Sequence, residues 1–318
     1  MRKNHHVFRS AFLCALTVFS VYVLLDTFVI VRRIETSAEA RTDSEPAGYA
    51  QTGQAAVTSR LSAAAEATPD PEPVRTEDTY RDENISITVT EERVGGTSVY
   101  LADVELSSAE YLKTAFAENT YGRNVTGKTS SIAESVNAIL AVNGDFYGSR
   151  QSGYVIRGGT LYRSVEKNGA EDLVIYDDGS FEIIRESEVS AGDLVAGGAR
   201  DVLSFGPALI ENGEIAVTPD DEVGRAKASN PRTAIAVIDD LHYLFVVSDG
   251  RTDESEGLSL YELAVYLQSR GVRTAYNLDG GGSSTMVFNG RVVNNPTSGG
   301  KGTKERSVSD IVYIGYSA

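Results

Sequence analysis

Apolar and polar positions alternate in short runs over most of the chain, and glycine-containing turns separate the runs. Ile85–Val89 and Val99–Val104 flank Gly95-Gly96, while Leu173–Tyr176 and Phe181–Ile184 flank Asp178-Gly179. Asn212-Gly213 and Asn289-Gly290 sit between β-branched runs in the same way. Such dipeptides supply the positive φ that a tight hairpin needs, so the pattern predicts antiparallel pairs at each. Asp239-Asp240 separates Ala234–Ile238 from Tyr243–Val247, two runs apolar enough to be neighbouring central strands. Helix starts are predicted where Ser and Glu stand three apart, as in a capping box: Ser107 with Glu110, Ser131 with Glu134, and Ser259 with Glu262. Behind the third, Leu260, Leu263, Ala264 and Leu267 recur at helical spacing, and Gly271 marks a stop. Strands and helices do not alternate regularly, and no long repeat is present. The expectation is an α+β fold: a single domain with a mixed, largely antiparallel sheet flanked by a few helices.

The first 82 residues break this pattern. Val7 to Val31 is mostly apolar, with Arg2, Lys3 and Arg9 before it and Arg32 and Arg33 after it. This length suits a membrane anchor, and the basic flank places its N-terminus in the cytoplasm. Ala38-Glu39-Ala40 offers the alternative of a cleaved signal, which would make the rest secreted. Glu35 to Asp82 is rich in Ala, Thr, Ser, Glu, Asp and Pro with no apolar period. The expected organisation is therefore a tail and anchor over residues 1–34, a polar linker over 35–82, and an extracytoplasmic domain over 83–318.

Composition narrows the chemistry. With 29 Lys and Arg against 45 Asp and Glu, a net charge of -16 disfavours a nucleic-acid partner, whose phosphates need a basic face. One Cys among 318 residues excludes an internal disulfide and any Cys-cluster metal site. Of three His, only His242 falls in the folded part, after an Asp-Asp turn where a surface role is expected. Carboxylates, arginines, amides and hydroxyls are left to carry any reaction.

Several clusters supply them. Asn277-Leu278-Asp279-Gly280-Gly281-Gly282-Ser283-Ser284-Thr285 lies between two apparent strands. Three glycines there permit backbone amides to converge on an anion, beside the Asp279 carboxylate and the hydroxyls of Ser283 and Ser284. Asn143-Gly144-Asp145-Phe146-Tyr147 places a carboxylate and an amide at a strand end beside two aromatic rings. Asn230-Pro231-Arg232-Thr233 precedes one strand, and Ser248-Asp249-Gly250-Arg251 follows its neighbour. An antiparallel pairing of those strands would gather Arg232, Asp249 and Arg251 at one sheet edge, as an anion site. Asn294-Asn295-Pro296 and the loop holding Lys304, Glu305 and Arg306 precede the last strand. No P-loop, dinucleotide fingerprint or serine-hydrolase elbow occurs.

In order along the chain, AVNGDFY, NPRTAIAV, VVSDGR, NLDGGGSSTMV, NNP and ERSVSD resemble the phosphodiester glycosidase family from about Ile85 to Tyr316. The resemblance implies hydrolysis of a sugar-1-phosphodiester at the glycosyl carbon–oxygen bond, leaving a phosphomonoester. On that basis Asp279, Asp145 and Asp249 are the candidate catalytic carboxylates. Asn143, Arg232, Thr233, Arg251, Gly280, Gly281, Gly282, Ser283, Ser284, Asn295 and Arg306 are the candidate substrate or phosphate ligands. No cofactor is required; a divalent metal, with Asp249 as a ligand, stays open. Ala236 and Ser248 stand where the family leads one to expect Gly and an acidic or apolar residue. Two other readings remain: a non-catalytic glycan- or phosphate-binding envelope module, and a metal-dependent phosphodiesterase that cuts the phosphorus–oxygen bond.

Overall fold

The structure is a computed structural model that describes residues 16–18, 20, 32–33, 72–221, 229–298 and 303–316. The expected anchor lies mostly outside the described residues, among which no helix is long and apolar enough to cross a membrane. The expected linker lies outside them as far as residue 71.

Each glycine-centred turn carries a hairpin. Ile85–Val94 pairs with Thr97–Leu106, Glu171–Tyr176 with Phe181–Arg185, Ala208–Glu211 with Glu214–Ile215, and Met286–Phe288 with Arg291–Val292. Arg232–Asp239 and His242–Ser248 pair antiparallel, with Arg232 opposite Ser248. The strands build three main sheets where one mixed sheet was expected, and every strand pairing among the described residues is antiparallel. One sheet has nine strands, running from Glu214–Ile215 through the central pair to Val74–Arg75. The other two have five strands each, one built around Ala199–Leu203 and one around Leu140–Asn143.

Alternation along the strands explains why three sheets close on one core. Tyr100, Ala102 and Val104 face inward with Ile235, Phe245 and Val247, and they meet Leu140, Val142, Met286 and Val312 of one small sheet and Leu173, Ile175 and Leu203 of the other. The opposite faces are also buried, each under one helix. Leu260–Gln268 covers Leu101 and also Ala234, Ala236 and Ala275, three small side chains that let the helix approach closely. Thr129–Ser135 covers Ala141, Val287 and Ile311, and Ala191–Ala196 covers Ile156, Val174 and Val202. Sheets buried on both faces read as near-continuous apolar runs, which is how the central strands look in the sequence.

Two helix predictions need correction. Behind Ser107 only a 3-10 turn forms, Ala109–Tyr111, which holds Glu110 and is capped by Ser108, because Leu112 onward is drawn into a ladder with Asp310–Ile314. Ser131 lies inside Thr129–Ser135 and not at its cap. The third prediction meets a full capping box, with Ser259 Oγ accepting from Glu262 N at 3.1 Å and Glu262 Oε2 accepting from Ser259 N at 2.8 Å.

Candidate active site

Strand ends from the nine-stranded sheet and the Leu140–Asn143 sheet converge at one place. Asn143 ties them together. Its Nδ2 donates to the Asp279 carbonyl at 2.6 Å, while its Oδ1 accepts from Thr233 Oγ1 at 2.9 Å and from Thr285 N at 3.3 Å. All four residues are buried, so Asn143 and Thr233 act as a buckle that fixes the Asp279 loop. The Asp279 amide in turn donates to the Gly144 carbonyl at 3.2 Å.

Asp279 is 8% exposed. Both side-chain hydrogen bonds of its carboxylate fall on Oδ2, from Ser283 Oγ at 2.6 Å and from Arg306 Nη2. Arg306 also donates from Nε to Ser283 Oγ at 2.8 Å, and its guanidinium lies 5.5 Å from the centre of the Phe146 ring. Burial raises the Asp279 carboxyl above its ordinary value, and the Arg306 charge and the Ser283 hydrogen bond oppose that rise.

The triple glycine, expected as an amide cradle, is also a tightly packed turn. Gly281–Ser283 forms a 3-10 turn held by three backbone donors: Gly281 N on Pro231 O, Ser283 N on Gly280 O, and Ser284 N on Gly281 O. Close approach requires the glycines. A Cβ on Gly280 would lie 2.8 Å from Pro231 O, and one on Gly281 would lie 2.7 Å from Arg251 Nη2. The exposed Arg251 guanidinium therefore rests directly on the turn, held by Asn230 Oδ1 at 3.1 and 3.2 Å. Gly282 O accepts from Arg306 N at 3.2 Å. Ser284 is buried with no hydrogen-bond partner for its Oγ.

Other candidates are placed less like reactants. The Asp145 carboxylate is fully buried, accepting from Tyr147 N at 3.0 Å and Ser204 N at 2.8 Å and pairing with Arg157 at 3.1 Å. Arg157 also pairs with Asp310 at 2.8 Å, so a buried cation joins two carboxylates behind the site. Arg232 is buried and donates from Nε to Leu258 O at 2.8 Å, so its strand-end position does not free its guanidinium. Asp249 accepts from Asn294 Nδ2, Asn295 N and Asn295 Nδ2 at 3.2, 2.8 and 3.0 Å, which makes it a clasp for the Asn294-Asn295 turn. Asn295 is thereby occupied as well. Among the described residues, no group of three His, Cys, Asp or Glu side chains is arranged to hold a metal ion. His242 sits at the surface, 2.7 Å from Asp103.

Sequence reasoning missed Arg157 and Asp310, which carry the buried charge centre. It also missed Arg150, whose Nη1 donates to Ser204 O at 2.7 Å and whose guanidinium lies 4.7 Å from the centre of the Phe205 ring. Part of the reason is sequence distance, since Ser204 stands 54 positions from Arg150 and Asp310 stands 153 from Arg157.

A family model described as phosphodiester glycosidase matches residues 136–315, which span every element of this site except the strands ahead of Leu140–Asn143. The chain belongs to the phosphodiester glycosidase family. Within the family's reach, an uncharacterised SPbeta prophage-derived protein of Bacillus subtilis is 31% identical over 193 residues, covering 58% of this chain and 29% of that protein. The mouse N-acetylglucosamine-1-phosphodiester α-N-acetylglucosaminidase is 41% identical over 66 residues, covering 21% of this chain and 13% of the enzyme. The chain thus spans under a third of the length of the curated relatives it matches. Among solved structures, the catalytic domain of the zebrafish enzyme of the same name, auto-inhibited by its pro-peptide, aligns with a TM-score of 0.57 at 20% identity. It covers 72% of this chain and 82% of that domain. A hypothetical protein from Synechocystis aligns at a TM-score of 0.56 and 16% identity, over 73% of this chain and 62% of that one. Both show the fold.

Proposed function

We propose that the chain is a hydrolase that cleaves the glycosyl carbon–oxygen bond of a sugar-1-phosphodiester, releasing the sugar and leaving a phosphomonoester. The observation that carries the reading is the Asp279 carboxylate, fixed through one oxygen by Arg306 and Ser283, with the exposed Arg251 seated on the adjoining glycine turn.

The reaction explains why this set suffices. A phosphate monoester is a good leaving group, so a strong general acid matters less than in ordinary glycoside hydrolysis, where two carboxylates share the work. Charge on the departing phosphate must be neutralised, and guanidinium forks suit that task. Arg251 receives the phosphate. Asp279 Oδ1 faces the sugar, where it stabilises the oxocarbenium-like centre or takes a proton from the attacking water. Arg306 and Ser283 hold Oδ2 so that the carboxylate stays ionised and oriented. Asp145, Arg157 and Asp310 fix the loop beneath. The apolar run at Val7 to Val31 supports an extracytoplasmic placement and an envelope glycan or glycoconjugate as substrate.

Asp279→Asn should lower sugar release by roughly 100- to 10,000-fold with the fold intact, the range for loss of one positioned carboxylate. Hydrolysis in oxygen-18 water should put the label on the sugar. An Asp279→Asn variant with an undiminished rate, or label found on phosphate, overturns the proposal; the second outcome would indicate a phosphodiesterase.

A further inference from the structure

The cations around Asp279 are not all neutralised. Arg157 is paired with Asp145 and Asp310, and Arg306 with Asp279. Arg251 and Arg150 differ: their hydrogen bonds go to neutral oxygens, Asn230 Oδ1 and the Ser204 carbonyl. A phosphodiester carries one negative charge, which Arg251 meets in the reading proposed above. Arg150 then has no assigned counterion in a protein whose net charge is -16.

Arg150 is positioned for one. It caps the turn Tyr147–Ser149, which follows Phe146, the ring beneath Arg306. Its own platform, Phe205, precedes Gly206, whose carbonyl accepts from Asn277 Nδ2 at 2.8 Å, two residues before Asp279. Both parts of the Arg150–Phe205 unit are therefore tied to the segments that carry the active carboxylate and its arginine. Stacking on a ring fixes the guanidinium plane without neutralising its charge. The Arg150 charge, with the larger effects of Arg306 and Ser283, opposes the rise that burial imposes on the Asp279 carboxyl. A second cation stands nearby: burial, and then the Arg150 charge, hold the half-buried Lys167 ammonium below the usual lysine range. Lys167 N and Ser204 Oγ both donate to Glu186, which links the Lys167 turn to the Arg150 anchor.

We propose that Arg150, seated on Phe205 and backed by Lys167, binds a second anionic group of the substrate beside the phosphodiester that Arg251 receives. The inference rests on the proposed glycosidase reading and narrows its substrate class to sugars with two neighbouring negative charges. A diphosphate-linked sugar and a chain of sugar phosphodiesters both have this chemistry.

The test compares three substrates with one sugar in common: a methyl phosphodiester with one charge, a diphosphate ester, and a two-phosphodiester oligomer. The wild-type chain should favour at least one of the two doubly charged substrates over the methyl ester by about tenfold in kcat/KM, mainly through KM, as expected for one charged hydrogen bond. Whichever of them is favoured identifies the source of the second charge. Arg150→Gln should abolish that preference, and Arg150→Lys should restore part of it. Equal losses on all three substrates in Arg150→Gln, or no preference in the wild type, overturn the inference. If none of the three is cleaved, the glycosidase reading fails and calorimetry with pyrophosphate and orthophosphate decides this one separately. Tighter pyrophosphate binding that Arg150→Gln removes sustains the second anion position, and binding indifferent to the substitution refutes it.

Discussion

Gly144 leaves no room for a side chain, since a Cβ there would lie 2.3 Å from Asp310 Oδ1. The neighbour is a buried carboxylate locked onto Arg157, so it cannot swing aside. Gly144→Ala should therefore cost about 1–3 kcal/mol of stability, the range for overpacking a closed site. Arg157→Met should cost more, about 3–5 kcal/mol, because it strands two buried carboxylates without their cation. Urea unfolding of the two variants checks the order; a milder effect for Arg157→Met than for Gly144→Ala would sink this account of the charge centre. The same residues show what one sequence can and cannot reveal. Asp279 stands out in the sequence because three glycines and two serines beside it are locally unusual. Arg157 does not, because its ion pairs with Asp145 and Asp310 exist only in the fold, the second across 153 positions. Asp249 and Arg232 drew notice as charges at a strand edge, yet their functional groups are occupied by the Asn294-Asn295 turn and by Leu258 O. Proximity along a ladder fixes where a backbone runs but not where its side chain turns.

At the scale of elements, hairpins were legible and helices only partly so. A turn such as Asp178-Gly179 is set by its own φ requirements, and the strands beside it need only alternate. A Ser-x-x-Glu spacing is weaker evidence, because the residues after it must also be free to stay helical. Behind Ser107 they are not, as Leu112–Phe116 is claimed by the strand Asp310–Ile314. Behind Ser259 they are, and the apolar stripe Leu260, Leu263, Ala264 and Leu267 is buried against the nine-stranded sheet. The difference is measurable. Ser259→Ala should cost about 1 kcal/mol through loss of the cap. Ser131→Ala, an exposed position inside its helix, should change stability by no more than a few tenths of a kcal/mol, with alanine's higher helix propensity in its favour. Thermal unfolding of the pair decides it, and equal losses would mean that the box at Ser259 contributes nothing of its own.

For the whole molecule, an acidic chain folded around buried carboxyls should respond to pH in a definite direction. Asp172 is fully buried, and neither carboxyl oxygen has a hydrogen-bond partner. Burial, and then repulsion from Glu186, push it up to about 9. Asp310 is raised by burial and by the Asp145 carboxylate against the pull of Arg157, and Asp279 is raised by burial against Arg306. An unfolded aspartate titrates near 3.9, so between about pH 4 and each folded value the native state holds protons that the unfolded chain has released. Stability must then fall as pH rises through that window. Asp172 contributes at most about 1.4 kcal/mol per pH unit between pH 6 and 8, and less where the site relaxes. Exposed Asp78, Asp178 and Asp221 act in the opposite sense at the acid end, since hydrogen bonds lower them and their stabilisation is lost as pH falls below the ordinary carboxylate range. The melting temperature of the full chain should therefore peak in mildly acidic buffer and decline from pH 6 to pH 9. Asp172→Asn keeps a neutral group of the same shape, so it should match the parent near pH 5 and exceed it at pH 9, with a flatter slope between. A variant whose slope equals the parent's would show that Asp172 ionises freely in the fold and that the alkaline loss has another origin.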